Sequence, residues 1–146
     1  LKMTRQKIVD VVLENLKNIK IDKGFYSDAG KNVFEWMDET LEDRDFPAII
    51  IRDSSSKVSD QSLLEHTLRV EVDVATKGKN SAWNMREVSS DVLKTFGIIE
   101  DALNFKVSYL GFESLVEQRE SMYSGTRMEF EIIYHSRRFE QWVQKL

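Results

Sequence analysis

The sequence predicts an α+β fold: a two-layer sandwich in which a mostly antiparallel sheet carries two helices on one face. Apolar and charged residues alternate strictly along residues 67–75 and 124–135, which is typical of strands with one buried and one open face. Apolar residues recur at helical spacing near the start of the chain and again after residue 80. Because each amphipathic helix must bury one apolar stripe, we expect the apolar sheet face to cover both helices.

The first half of the chain predicts one helix and two short strands. Residues three and four apart define the helix, which starts near Thr4: Ile8, Val11, Val12, Leu16 and Ile19. Strands are predicted at 33–36 and at 48–51, the latter directly after Pro47, whose missing N–H suits the start of a strand. Residues 54–62 contain five serines and predict a mobile loop.

The second half begins with the clearest strand, 67–75, and completes the order α-β-β-β-α-β-β. A second helix is predicted over 81–96, with Asn80 or Ser81 as its N-cap and Gly97 just past its end. Its apolar stripe is Met85, Val88, Val92, Leu93 and Phe96. Strands follow at 105–115 and 124–135, and the tail 137–146 shows apolar residues at the spacing of a short helix.

Composition predicts one soluble, cytoplasmic domain. The chain has 146 residues, of which 41% are hydrophobic, and no apolar run approaches the roughly 18 residues that a membrane helix requires. The lack of cysteine excludes disulfides, thiolate zinc sites and thiol catalysis. A net charge of −4 gives no general attraction to nucleic acid or an anionic membrane. Met3 is the expected natural start, so that residues 1–3 belong to the start site and 4–146 form the domain.

No catalytic, cofactor or metal site is predicted. His66 and His135 lie at strand ends, where exposed polar residues are usual, and neither has a second ligand at a metal-binding spacing. The turn at 78–81 resembles a phosphate loop only superficially. Asp73 stands where the first glycine is needed, and Asn80 replaces the hydroxyl residue that reaches magnesium.

A small magnesium-dependent nuclease is the enzymatic alternative. Glu71 and Asp73 share one side of the strand 67–75, about 6.6–6.8 Å apart, and Asp53 and Lys77 are further candidates. However, the lysine expected two positions after the glutamate is missing, and the basic residues are dispersed along the chain. Polar residues on an open sheet face explain the same pattern.

The connection between residues 38 and 45 is strongly acidic. It has no calcium-loop pattern, so a solvated connection is the simplest interpretation. The alternative is a docking surface for a basic partner, because clustered like charges steer association. The candidate docking residues are Glu39, Glu42, Asp43 and Arg44.

Three segments of the chain are similar to small prophage proteins of the phage tail terminator type (minor tail protein U-like, also called tail completion proteins). They are Phe25-Tyr26-Ser27-Asp28-Ala29-Gly30-Lys31-Asn32-Val33, Phe46-Pro47-Ala48-Ile49-Ile50-Ile51-Arg52-Asp53 and His66-Thr67-Leu68-Arg69-Val70-Glu71-Val72-Asp73-Val74. The predicted order of elements is similar as well. The resemblance covers residues 4–135, and 136–146 have no counterpart in it.

The resemblance implies a structural virion protein and no enzyme or cofactor. Such proteins form a ring, commonly of six copies, on the end of the tail tube, where they stop polymerisation and present the head-joining surface. The implied partners are the chain itself, the tail-tube protein and a head-completion or connector protein. No membrane is involved, and DNA passes without specific binding. The implied location is the virion tail, and the host cytoplasm during assembly. Another head–tail connector or neck protein is the alternative within the same particle.

A ring gives the charged sides of two predicted strands a possible role. If these strands belong to one sheet, their polar sides form a surface that the helices leave open. In a ring this surface is a candidate subunit interface or a candidate lumen lining. The residues concerned are Arg69, Glu71, Asp73, Arg127, Glu129 and Glu131.

Overall fold

The computed structural model describes residues 4–37 and 39–139, which fold as a five-stranded sheet with helices packed on it. The helices are α1 (Thr4–Leu16) and α2 (Ser81–Leu103). The strands are β1 (Val33–Glu35), β2 (Ala48–Asp60), β3 (Leu64–Lys77), β4 (Lys106–Gln118) and β5 (Met122–Ser136). The predicted α+β class and the predicted chain order of helices and strands are confirmed.

The strands lie in the spatial order β1-β2-β3-β5-β4. Every neighbouring pair is antiparallel except β1 with β2. The two central strands, β3 and β5, pair along their whole length, from Leu64 opposite Ser136 to Lys77 opposite Tyr123. This arrangement leaves β4 as a long edge strand on one side of the sheet and the short β1 on the other.

The core lies between the helices and one face of the sheet. Alternate residues of β3 are buried on this face, and the matching residues of β5 lie beside them. Phe130 of β5 stacks on Phe96 of α2, with ring centroids 3.7 Å apart. Both rings are buried, so truncating Phe130 to alanine is expected to destabilise the fold by roughly 3–5 kcal/mol.

The serine-rich segment is mainly a strand, so the prediction of a loop over 54–62 is wrong for most of its length. β2 continues to Asp60 and pairs with β3 from Ser55 opposite Arg69 to Asp60 opposite Leu64. A bulge at Ser54 is the one irregularity in this ladder among the paired residues. Backbone hydrogen bonding to a strongly patterned partner strand therefore outweighs the low strand propensity of serine.

Helix α2 is seven residues longer than predicted. Gly97 lies inside it, and the left-handed residue that ends the helix is Asn104 instead. Asn80 is the N-cap residue of α2, as predicted, but its side chain makes no capping hydrogen bond, and the hydroxyl of Ser81 bonds to that of Ser124 instead. Leu93, predicted as core, is exposed.

No helix in the described ranges combines the length and apolarity needed to cross a bilayer. The short helix predicted in the tail falls, beyond Phe139, outside the described residues.

Candidate assembly surfaces

The predicted charged residues of β3 and β5 lie together on the open face of the sheet. Arg69 is opposite Glu131, Glu71 is opposite Glu129, and Asp73 is opposite Arg127. The apolar neighbours of these residues are buried on the helix side, so the charged side chains point away from the helices. The prediction that the two polar sides form one surface is therefore confirmed, whereas its role as interface or lumen remains a prediction.

Asp73 is the carboxylate of this surface that two arginines bind, one from each neighbouring strand. It accepts hydrogen bonds from Nε of Arg127 at 2.8 Å and from Nη2 at 3.1 Å, and Arg52 of β2 binds the same carboxylate. Burial by itself raises the pKa of the Asp73 carboxyl, but the hydrogen bonds from Arg127 and Arg52 outweigh it and hold the pKa below its ordinary value. The same contacts raise the pKa of Arg127.

Longer contacts join the remaining charges. Arg69 lies 3.6 Å from Glu129 and 3.7 Å from Glu131, and Arg127 lies 3.7 Å from Glu71. Each of the six predicted residues is thus paired with another residue of the same surface. A face whose charges already compensate one another has little unsatisfied charge to offer a partner.

The acidic connection also forms contacts with neighbouring residues of the same chain. Residues Asp43–Asp45 form one turn of 3₁₀ helix, and Asp45 accepts the backbone N–H of Glu42 at 2.8 Å. Arg44 pairs with Glu42 at 2.8 Å, and Asp43 pairs with Lys77 at the end of β3. Glu39 is exposed. Three of the four predicted docking residues are therefore engaged within the protein, and docking remains a prediction.

The structure does not bring together the nuclease residues. Asp53 pairs with Val70 on the helix side of the sheet, where it accepts the indole N–H of Trp36 at 2.8 Å. Glu71 and Asp73 project from the opposite face, so the sheet separates them from Asp53. Within the described ranges, no three histidine, aspartate or glutamate side chains lie where they could share a metal ion.

The two histidines have different environments, and the prediction that both are exposed is wrong for His66. Only 6% of its surface is accessible, and its Nε2 lies 2.7 Å from Oγ of Ser136 while the ring stacks on Tyr134. Burial first, and the nearby His135 second, lower the pKa of His66. His135 lies 3.1 Å from Glu65.

The feature that sequence reasoning missed is the apolar surface of the edge strand β4. Phe112 is 65% exposed and Leu115 is 62% exposed, and Tyr109, Leu110 and Val116 are 41–50% exposed. Phe112 lies opposite Met128 and so points to the helix side, whereas Leu115 lies opposite Gly125 on the open side. The exposed apolar side chains of this edge therefore extend over both faces of the sheet.

A groove runs along β4 on the helix side. It has a volume of about 260 Å³ and lies between α2 and the sheet. Met85 and Leu93 of α2 form one wall, Tyr109 and Phe112 of β4 form the other, and Met128 of β5 contributes to the floor. Leu93 is exposed because it faces this groove rather than the core.

A partial signal for this edge is present in the sequence. In Leu110-Gly111-Phe112-Glu113-Ser114-Leu115-Val116 the alternation breaks, since Leu115 and Val116 are adjacent and Gly111 interrupts the pattern. A bulge between Tyr109 and Gly111 coincides with that interruption. An irregular apolar strand could equally lie in the middle of a sheet, so only the strand order shows that these side chains are exposed.

Comparison with models of known protein families gives no match, and comparison with curated proteins gives none either. Function is therefore inferred from the surfaces of this molecule, together with the resemblance of its segments to tail terminators.

Proposed function

We propose that this chain is a structural protein of phage assembly that caps the tail tube as a ring, commonly of six copies, as the resemblance to tail terminators implies. In this proposal the ring ends tube polymerisation, presents the surface that joins the head, and lets DNA pass without specific binding. Its partners are copies of itself, the tail-tube protein and a head-completion or connector protein. It acts in the virion tail after assembly in the host cytoplasm.

The observation that best supports an assembly role is the edge strand β4. An edge strand exposes unpaired backbone N–H and C=O groups, and proteins that stay monomeric usually protect such edges with charge, proline or short length. β4 has thirteen residues, no proline, and two apolar side chains, Phe112 and Leu115, that are each more than half exposed. Large exposed apolar side chains along an unpaired edge are typical of protein interaction sites.

The charged face fits the same proposal as the lining of a ring. Three arginines, including Arg52, are set among four carboxylates, and the pairs are formed within one subunit. A surface of this kind releases no counterions from DNA and so has no strong affinity for it. DNA could therefore move along the lining without being held.

Electron microscopy tests the proposal directly. Purified protein is imaged by negative stain over a range of concentrations, alone and after mixing with tubes polymerised from the tail-tube protein of the same prophage. We expect closed rings and tubes capped at one end. A protein that stays monomeric at every concentration and leaves all tube ends bare would contradict the proposal. Rings that bind connector complexes and ignore tubes would instead identify a neck protein.

A further inference from the structure

The sheet has a second unpaired edge, on the outer side of β2. The short strand β1 covers β2 only from Ile49 to Ile51, and no described strand pairs with residues 52–60 on that side. Residues 54–60 are exposed, and Val58 is an apolar side chain of this edge with 52% of its surface accessible. Within the described part of the chain, the sheet therefore has two free stretches of edge with different compositions, one along β4 that is largely apolar and one along β2 that is mainly polar.

We propose that these two edges bind each other: β4 of one copy pairs with residues 55–60 of β2 of the next copy. This inference rests on the proposed ring, and it names the contact that would form it. Within the sheet β2 and β4 run in opposite directions, because three successive antiparallel pairings separate them. A rotation about an axis parallel to the strands preserves these directions, so β4 meets the next β2 as an antiparallel pair.

The side chains of the two edges match in one register. Val58 lies opposite His66 and Phe112 lies opposite Met128, so both belong to the helix side of the sheet. When Val58 is placed opposite Phe112, the antiparallel geometry places Lys57 opposite Glu113. These two residues both belong to the open side, since their partners within the subunit are Thr67 and Arg127. Apolar side chains of the two copies therefore meet on the helix side of the sheet, and oppositely charged side chains meet on the open side.

The ion pairs within the subunit favour this register over the one that is shifted by four residues. Among the described residues, neither Lys57 nor Glu113 forms a salt bridge, so each charge is available to a second copy. Shifting the strands by four residues would place Lys57 opposite Glu117, which is already paired with Arg119 at 2.8 Å. In the proposed register the other opposed residues carry no like charges: Ser55 with Leu115, Ser56 with Ser114, and Ser59 with Gly111.

The groove beside β4 provides space for the incoming side chain. Phe112 forms part of its wall, and the groove volume of about 260 Å³ leaves room for Val58 against Phe112 and Leu93. Pairing of β4 with another β4 would produce a two-fold dimer, which closes after two copies. With Phe112 opposite Phe112, this pairing leaves Glu113 opposite Gly111 without a cation. The head-to-tail pairing instead satisfies Glu113 and can continue around a ring.

Disulfide cross-linking tests this contact, since the chain has no natural cysteine. Val58→Cys and Phe112→Cys proteins are prepared separately, mixed in equal amounts, oxidised mildly and run on a non-reducing gel. We expect a reducible dimer in the mixture and little in either protein alone, because opposed residues in a sheet lie close enough for a disulfide. The matched control is a mixture of Ser56→Cys with Phe112→Cys, which places the second cysteine two residues out of register and should cross-link far less.

The possible results distinguish a failure of this contact from a failure of the proposed ring. Phe112→Cys that cross-links alone as well as the mixture does would overturn the inference in favour of β4 pairing with itself. An assembled protein whose mixture gives no disulfide would overturn the contact while leaving the ring proposal intact. As a second arm, Lys57→Glu should weaken self-association severalfold, and adding Glu113→Lys in the same chain should restore it. Failure of that restoration would also count against the register.

Discussion

Asp73 and Arg127 face each other across the two central strands, and the guanidinium donates two hydrogen bonds to the carboxylate, at 2.8 and 3.1 Å. The pair occupies the middle of the surface that the sequence indicates as an interface or a lumen. Because these charges bind each other within one subunit, the open face is well suited to a lining, and the edge strands are the better candidates for contacts between copies.

Replacing Asp73 with asparagine should destabilise the monomer. The change removes the negative charge that Arg127 and Arg52 share, and hydrogen bonds to charged groups contribute roughly 1.5–3 kcal/mol. We expect the free energy of unfolding to fall by about that amount in urea titrations at neutral pH. Glu39→Gln, which neutralises an exposed carboxylate elsewhere, is the control and should change it by less than about 0.5 kcal/mol.

The contribution of Asp73 should depend on pH in a defined direction. Its pKa is lower in the folded protein than in the unfolded chain, so the unfolded chain takes up the proton first as the pH falls. The stabilisation is therefore complete above the ordinary aspartate pKa of about 3.9 and is lost as the pH falls below it. Unfolding of the parent and of Asp73→Asn should differ more at pH 6 than at pH 3. An equal difference at both values would contradict this assignment.

Replacing Gly30 or Gly97 with alanine should have opposite effects on the stability of the fold. A Cβ at Gly30 would lie 2.5 Å from the carbonyl oxygen of Lys17 and 2.7 Å from that of Ile19, so Gly30→Ala must displace backbone. We expect a loss of roughly 1–3 kcal/mol or more. Gly97 lies within α2, and apart from its chain neighbours and the adjacent helix backbone no atom lies within 4 Å of the added Cβ, so Gly97→Ala should stabilise by roughly 0.5–1 kcal/mol. Thermal unfolding of both variants checks the pair, and a destabilised Gly97→Ala would show that the helix does not continue through this residue.

Charge reversal on the open face tests its role as the lining. Glu129→Lys combined with Glu131→Lys makes the surface basic, and the assembled variant should then retain double-stranded DNA that the parent does not. A gel-shift or polarisation assay at low salt measures this, and the binding should weaken steeply as salt is added. Glu39→Lys combined with Glu42→Lys is the control, with the same change in net charge elsewhere. If both variants bound DNA equally, the net charge of the protein, and not the position of the charges on the open face, would determine DNA binding.

The sequence was sufficient to predict the central part of the fold. The alternation around Val72 and Phe130 determines which face is buried, and pairing of β3 with β5 brings the charged residues together as expected. The extent of β2 could not be predicted, because Ser55 and Ser56 become strand residues only through their partners on β3. Burial of His66 likewise depends on Tyr134 and Ser136, which lie about 70 residues later in the chain.

The candidate contact surface could not be predicted for a related reason. Phe112 and Leu115 have the composition of core residues, and their exposure follows only from the position of β4 at the edge of the sheet. Strand order depends on pairing between distant segments, which local patterns do not encode. The exposed position of Leu93 has the same origin, since no described strand lies beyond β4 and the groove is open there.

The measurement that tests the central claim most directly is the mass of the protein in solution as a function of concentration. Sedimentation equilibrium should show the parent rising from its monomer mass of 17.1 kDa towards a closed oligomer, whereas Phe112→Lys combined with Leu115→Lys should remain at the monomer mass with unchanged circular dichroism. Ile21→Lys, at an apolar residue that is 59% exposed away from β4, should assemble like the parent. A double variant that assembles as the parent does would contradict the assignment of β4 as the surface through which copies join.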